Sequence, residues 1–362
     1  MPLTVVYGTR PEVIKLAPVV QELRRRGVQP TIVSTGQHTT LLRGTPAETA
    51  LVPDVSLGLA SENDPLHYAS VCEAALRARW CQDRPDLVMV QGDTASAYAA
   101  ALAANQLRIN LAHVEAGIRT GDVDDPWPEE IFRTHIDAVA RWKYCATNAN
   151  YFNTAPDTPP DPGEACGCDH SRVTGNPGID ALYAHTQPTR TVEDCVLITL
   201  HRRESFGKPL RQLITGLLKS AERHAALTFA WPLHPNPRVL EAINADVADH
   251  YLPPPNLEVM DPLPMVDFAG WLSTSRCVIT DSGGVQEEAA ALGIPCCVAR
   301  EKTDRPESVD VGLAKVIGRT APGVLDGLDW ALGFSTRPDP SPCFGDGHAA
   351  PRIVDHLLSV SG

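Results

Sequence analysis

At 362 residues, 43% hydrophobic and 21% charged, the chain is long enough for about two domains of roughly 150 residues. It is apolar enough to bury both cores, which excludes disordered, collagen-like and coiled-coil readings. Its net charge of −13 argues against nucleic acid or an anionic membrane as partner.

The predicted elements begin with a β-rich run, Leu3–Tyr7, then a Gly8-Thr9-Arg10-Pro11 turn and a helical pattern over 11–26. Proline in the first turn of that helix costs nothing, since its missing N–H has no partner there anyway. A second strand is expected over 30–34. The run 87–90 is next, followed by Gly92-Asp93-Thr94 and an alanine-rich helix. The strand expected over 109–114 ends in Glu115-Ala116-Gly117. Residues 154–167 carry Pro, Asp and Gly without periodicity and read as a surface excursion. A second alternating block occupies 195–200, 227–233, Cys277–Thr280 and 296–299, with a helix expected from Val285 after the turn Asp281-Ser282-Gly283-Gly284. Strands alternating with helices make parallel sheets covered on both faces, so the fold class is α/β with two doubly wound domains. Ligands of such sheets lie outside the carboxyl ends of the strands, so the site is expected in the cleft between the domains.

No stretch reaches the roughly 18 apolar residues of a membrane helix, and the opening MPLTVVYG lacks a basic start and a long apolar segment. A cytoplasmic protein is therefore expected. The ten cysteines are scattered. Cys166 and Cys168 have one spacer and no second Cys/His pair at finger spacing. Cys296-Cys297 sits in an apolar run, where small buried side chains are the plain explanation. Neither a metal site nor a disulfide framework is expected.

Absent motifs remove whole classes. No G-x-G-x-x-G follows a strand, so a dinucleotide-dependent dehydrogenase loses its main support. Gly207-Lys208 runs into Pro209, so there is no phosphate-binding P-loop, and no G-x-S-x-G elbow marks a serine hydrolase. What remains is a set of ionisable residues at strand and helix ends. Asp93 and Glu115 each close a strand, Glu129 and Glu130 open a helix with Arg133 one turn on, and His201 leads Arg202-Arg203-Glu204. Singly, such carboxylates are commonly helix caps, and such a histidine is commonly structural. Jointly, they suit general acid–base chemistry. The Ser282-Gly283-Gly284 turn offers backbone N–H groups to a phosphate, and Arg10 and Lys15 are cations that could reach a diphosphate. The plainer alternative is two ordinary strand–turn–helix connections.

Taken in order, these motifs resemble the non-hydrolysing UDP-N-acetylglucosamine 2-epimerases. The resemblance rests on Gly8-Thr9-Arg10-Pro11-Glu12 with Lys15, Gly92-Asp93-Thr94, the stretch from His113 to Asp122, and Pro126-Trp127-Pro128-Glu129-Glu130. It continues in Thr174-Gly175-Asn176, the stretch from His201 to Gly207, His234-Pro235-Asn236-Pro237, the stretch from Asp281 to Glu288, and Arg305-Pro306-Glu307. It implies a GT-B architecture with a Rossmann-like domain over 1–175, a UDP-binding domain over 176–348, and a helix in 349–362 crossing back to the first. It also implies a cytoplasmic homodimer acting on a UDP-sugar without cofactor or metal. The reaction would interconvert UDP-GlcNAc and UDP-ManNAc by loss of UDP to 2-acetamidoglucal and re-addition. Asp93, Glu115, Glu129 and His201 match catalytic positions, with the C2 base among the three carboxylates. Arg10, Lys15, Arg133, Arg202, His234, Ser282, Gly283, Gly284, Glu288 and Arg305 match substrate-binding positions, and Leu263 and Phe268 fall where the uracil would lie.

The departures are as specific as the matches. Phe132 stands where the family usually has Asn before its arginine. Thr40 and the stretch 61–64 lack the glutamine and arginine that serve a second, activating UDP-GlcNAc in many members, so activation is not expected. The competing functions are a hydrolysing epimerase releasing ManNAc and UDP, a GT-B glycosyltransferase sharing the fold, and a non-catalytic nucleotide-sugar sensor. Transfer does not need the Asp93, Glu115 and Glu129 set, and a sensor has no use for His201 beside it.

Overall fold

The structure, a computed structural model, describes residues 2–37, 49–59, 64–154, 170–202, 205–233 and 254–360. The chain divides into two compact units, Met1–Ala181 with Gly345–Gly362, and Leu182–Phe344.

The first unit contains β1 (Leu3–Tyr7), α1 (Arg10–Arg25), β2 (Thr31–Ser34), β3 (Val55–Ser56), α2 (Pro65–Trp80), β4 (Leu87–Gln91) and α3 (Ala95–Gln106). It continues with β5 (Asn110–Ala116), α4 (Glu129–Val139), β6 (Trp142–Cys145), α5 (Asn148–Thr154), β7 (Ser171–Val173) and most of α6 (Pro177–Tyr183), whose last two residues belong to the second unit. Its strands pair in the order β3-β2-β1-β4-β5-β6-β7, and every pairing is parallel. Successive side chains of a strand point to opposite faces, and both faces here are covered. Leu3, Val5 and Tyr7 of β1, with Leu87 and Met89 of β4, join one apolar cluster, while Val6, Val88 and Val90 join another. That is why these strands read as continuous apolar runs rather than alternating ones. The second cluster takes in the alanines of α3, whose small side chains let it lie close against α2.

The second unit contains β8 (Cys195–Thr199), α7 (Lys208–Arg223), β9 (Thr228–Pro232), β10 (Leu257–Met260), α8 (Met265–Thr274), β11 (Cys277–Thr280) and α9 (Gly283–Leu292). β12 (Cys296–Val298), α10 (Pro306–Asp310), β13 (Ala314–Val316) and α11 (Ala321–Leu332) complete it. Its strand order, β10-β9-β8-β11-β12-β13, repeats the doubly wound order of the first, again with parallel pairing throughout. Both units are Rossmann-like, the pair of parts that makes a GT-B chain.

The final helix, α12 (Ala349–Val360), belongs to the first unit, where Ile353, Val354 and Leu357 join the core beside α1. Its first N–H groups are held by Asp180, through Ala349 N at 3.1 Å and Ala350 N at 2.8 Å. The first unit therefore runs past 175 to Ala181 and resumes at Gly345, because residues just beyond 175 bond back into it. The surface excursion expected over 154–167 lies outside the described residues beyond its first, Thr154. Cys296 and Cys297 are buried in β12, while Cys166 and Cys168 lie outside the described residues.

Candidate functional site

Strand order reverses beside β1 and β4 in the first unit, so the loops leaving these strands form the point where doubly wound sheets receive ligands. Glu12, in the first turn of α1, joins the two loops. Its Oε2 accepts from Gly8 N at 3.0 Å and Thr9 N at 2.7 Å, and its Oε1 from Thr94 Oγ1 at 2.9 Å. Thr94 in turn caps α3 by accepting from Ala97 N at 3.0 Å. Burial pushes the Glu12 carboxyl up from 4.5 to about 7, against the hydrogen bonds from Thr9, Gly8 and Thr94. Between these values the unfolded chain has lost this proton and the folded chain still holds it. The contribution to stability is full below about 4.5 and is lost as pH rises through 7, about 3 kcal/mol in all. Glu12→Gln keeps an acceptor for both N–H groups and never ionises. Its unfolding free energy should therefore fall less than the wild type's between pH 5 and 8 in chemical denaturation. Parallel curves for the two proteins would contradict this.

Glu115 lies inside β5, one residue before its end, at a φ of +67° and at a register shift in the pairing with β6. Left-handed backbone in a residue other than glycine costs roughly 1–3 kcal/mol and persists where surrounding structure enforces it. Here three donors enforce it. Glu115 Oε1 receives Lys15 Nζ at 2.6 Å and Asn176 Nδ2 at 3.3 Å, and Oε2 receives Gln91 Nε2. Lys15, expected as a phosphate partner, thus has its ammonium on this carboxylate. The next turn needs glycine, since a Cβ on Gly117 would run into the Asn150 carbonyl.

Asp93 follows β4 and is half-buried, its carboxylate 2.5 Å from Arg133 Nη2. Glu129 is the half-buried first residue of α4, and Arg133 follows one turn later on the same helix. Its neighbour Glu130 works differently, accepting from Thr120 N and Gly121 N at about 3.1 Å to hold the loop after β5. Phe132 is buried and stacks on Tyr98 of α3, with ring centroids 4.5 Å apart and 16° between planes. It fastens the helix carrying Glu129 and Arg133 to the helix that starts just after Asp93. Arg10 is the first residue of α1.

In the second unit the corresponding reversal lies between β8 and β11. Asp281, fully buried after β11, accepts from His201 N at 3.0 Å and Arg202 N at 3.0 Å. His201 Nδ1 stands 3.4 Å from the same carboxylate. So Asp281 is a positioning group for the loop after β8 rather than an anion partner itself. The helix expected from Val285 begins two residues earlier, at Gly283. Gly283 and Gly284 therefore occupy the first turn, where backbone N–H groups have no intrahelical partner. Ser282 is the N-cap, but its side chain makes no cap hydrogen bond.

Arg305 bonds Glu287, and its guanidinium lies about 3.4 Å from where a Cβ on Gly283 would stand. Burial first, then the like charges of Arg202 and Arg305, pull the Arg300 guanidinium below its ordinary value, against Asp304. Three arginines therefore share one neighbourhood of the second unit. Asp304 pairs with Arg300 at 2.8 Å and with Arg305 at 3.2 Å, and Glu287 pairs with Arg305, so much of that charge is met within the unit. The backbone N–H groups of the helix start remain the element suited to an anion. Glu288 is half-buried on α9, and Leu263 and Phe268 are half-buried beyond the carboxyl end of β10.

His234, Thr40 and residues 61–63 lie outside the described residues. Asp64 caps α2 by accepting from Leu66 N and His67 N. Among the described residues no group of three or more His, Cys, Asp or Glu is arranged to hold a metal ion, and no helix is long and apolar enough to cross a membrane. Sequence reasoning passed over Glu12, Gln91, Asn176 and Asp281 as functional groups. Gln91 and Asn176 each adjoin a glycine that follows a strand, whereas Glu12 lies in the first turn of α1 and Asp281 directly after β11.

A family model described as UDP-N-acetylglucosamine 2-epimerase matches residues 21–358. The chain is 34% identical to a UDP-N-acetylglucosamine 2-epimerase of Bacillus subtilis, over 98% of this chain and 94% of that one. A crystal structure of UDP-GlcNAc 2-epimerase from Neisseria meningitidis bound to UDP-GlcNAc superposes with a TM-score of 0.87 at 29% identity, covering 99% of this chain and 100% of that one. The S. aureus MnaA–UDP co-structure gives a TM-score of 0.88 at 29% identity over 99% and 96%. With the family matched over nearly its whole length and the fold shared, this chain belongs to the UDP-N-acetylglucosamine 2-epimerase family.

Proposed function

We propose that the protein interconverts UDP-GlcNAc and UDP-ManNAc without releasing free sugar. The observation that supports this most is Glu115, a buried carboxylate on left-handed backbone with Lys15, Gln91 and Asn176 arranged around it. In the proposed reaction a carboxylate among Asp93, Glu115 and Glu129 takes the C2 proton. The C1–O bond breaks with its electron pair leaving on the β-phosphate oxygen of UDP, and 2-acetamidoglucal forms. UDP then adds back at C1 while C2 is protonated on its other face, so atoms and charge balance with no redox partner. Arg133 holds the Asp93 carboxylate in place, with its Nη2 2.5 Å away. His201 serves the leaving diphosphate from the loop that Asp281 holds. Arg10, Lys15, Arg202, His234, Ser282, Gly283, Gly284, Glu288 and Arg305 hold the nucleotide sugar, and Leu263 and Phe268 border the uracil. The bound ligands of the Neisseria and S. aureus structures, UDP-GlcNAc and UDP, favour this assignment.

Incubation with UDP-GlcNAc, followed by proton NMR, tests the reading. UDP-ManNAc is the expected product; free ManNAc with UDP would mark a hydrolysing enzyme, and an unchanged sugar would mark a binding protein or a transferase. For the cradle, Ser282→Ala and Arg10→Ala should each weaken UDP binding by about 1.5–3 kcal/mol, read by calorimetric titration. Unchanged affinity in both would leave these turns as plain helix starts. We also propose a cytoplasmic homodimer, which a monomeric mass in light scattering would refute.

A further inference from the structure

His113 and Asp137 form a buried pair that the reaction above does not use. His113 lies in β5, fully buried, and Asp137 faces it from α4. His113 Nδ1 is 2.6 Å from Asp137 Oδ1, and Nε2 is 2.8 Å from the carbonyl oxygen of Gly92. A carbonyl oxygen can only accept, so Nε2 carries a hydrogen. Asp137 Oδ2 already accepts from Gly117 N at 3.0 Å and Arg119 Nη2 at 2.7 Å. Those two donors favour the ionised carboxylate, which can likewise only accept, so Nδ1 carries a hydrogen too.

We propose that His113 is a buried imidazolium that, with Asp137, acts as a positioning pair holding the loops of Asp93 and Glu115 at once. On one side, a charged ring fixes the Gly92 carbonyl, and Asp93 is the next residue. Hydrogen bonds with an ionised partner are roughly twice as strong as neutral ones, and this one sits where Gly92 turns at a φ of +69°. On the other side, Asp137 gathers Gly117 and Arg119, the residues that leave Glu115. Asn153 Nδ2 adds a bond to the Gly117 carbonyl at 2.8 Å. Burial pushes the Asp137 carboxyl up, but His113 and then Arg119 together outweigh it and hold it below its ordinary range. An ion pair removed from water is seldom a net source of stability. Its use here is geometric, since one rigid pair spans the ends of two neighbouring strands.

This inference rests on reading Asp93 and Glu115 as reacting carboxylates, and its test has one arm that does not depend on activity. In wild-type enzyme labelled with ¹⁵N-histidine, one ring should show two protonated nitrogens at neutral pH, both exchanging slowly with water and absent from His113→Gln. A spectrum in which no slowly exchanging ring carries both protons overturns the charged pair, whatever the enzyme does. In the second arm, Asp137→Asn should lower kcat by about 10–100-fold, the scale on which outer partners of a site act, with UDP affinity within twofold of wild type. Unchanged kcat overturns the positioning role. Parallel loss of kcat and UDP affinity also overturns it, because it marks general damage to the fold. Should the variant not fold, the wild-type spectrum still decides the protonation on which the proposal stands.

Discussion

Glu115→Gln and Asp93→Asn should each slow epimerisation by roughly 10²–10⁴-fold, the usual range for removing an acid–base group. The amides are nearly isosteric, so the loss would come from chemistry rather than from packing. At Glu115 the replacement also sets an amide N–H₂ against the donors Lys15, Gln91 and Asn176, which now meet a carboxylate. At Asp93 it removes the charge 2.5 Å from the Arg133 guanidinium, which keeps Glu130 at 3.4 Å. Glu129→Gln belongs to the same series. UDP should still bind, because these substitutions leave untouched the helix start at Gly283 and the residues Arg202 and Arg305 proposed to hold it in the second unit, Leu182–Phe344. Single-turnover rates with UDP-GlcNAc decide the matter, and any variant retaining full activity removes that residue from the assignment.

The second large effect concerns stability. Phe132 occupies a position where an asparagine would be the family's habit, and here it is 1% exposed and stacked on Tyr98. Replacing a buried phenylalanine by a small residue costs about 3–5 kcal/mol, and the stack contributes about 0.5–1.5 kcal/mol of its own. Phe132→Asn also buries an amide, which costs about 1–3 kcal/mol if nothing bonds it. The variant should lose at least about 3 kcal/mol in chemical unfolding, with Phe132→Leu recovering part of it. A loss below about 1 kcal/mol would mean that the pocket collapses around the smaller side chain and that Phe132 does not anchor α4.

Much of this arrangement was legible in the sequence because the strands carry apolar runs and the turns carry glycine. Leu3–Tyr7 and Cys277–Thr280 were expected with the bounds they have. Local pattern reads a strand well when both faces are buried. It failed at Glu115, where an ionisable residue before Ala116-Gly117 looks like a strand end. β5 in fact continues through it by adopting left-handed backbone, a choice made by donors from α1, β4 and the loop before α6. No local signal announces partners so distant in sequence. The same limit applies to the pairing of Lys15, whose place near a helix start suggests phosphate and whose ammonium here also meets Glu115. Gly283 and Gly284 looked like a turn because glycine is a poor helix former, yet both fall inside the first turn of α9. Phe132 read as the loss of an amide from the site, whereas the structure places its ring in the core.

The most direct measurement is epimerisation in D₂O with the product sugar examined at C2. If a protein carboxylate removes the C2 proton and solvent resupplies it, the product UDP-ManNAc carries deuterium at C2. The UDP-GlcNAc recovered at equilibrium acquires it as well. Epimerised product that keeps its original hydrogen at C2 would contradict the account, because it would require an internal hydrogen transfer that these carboxylates do not perform.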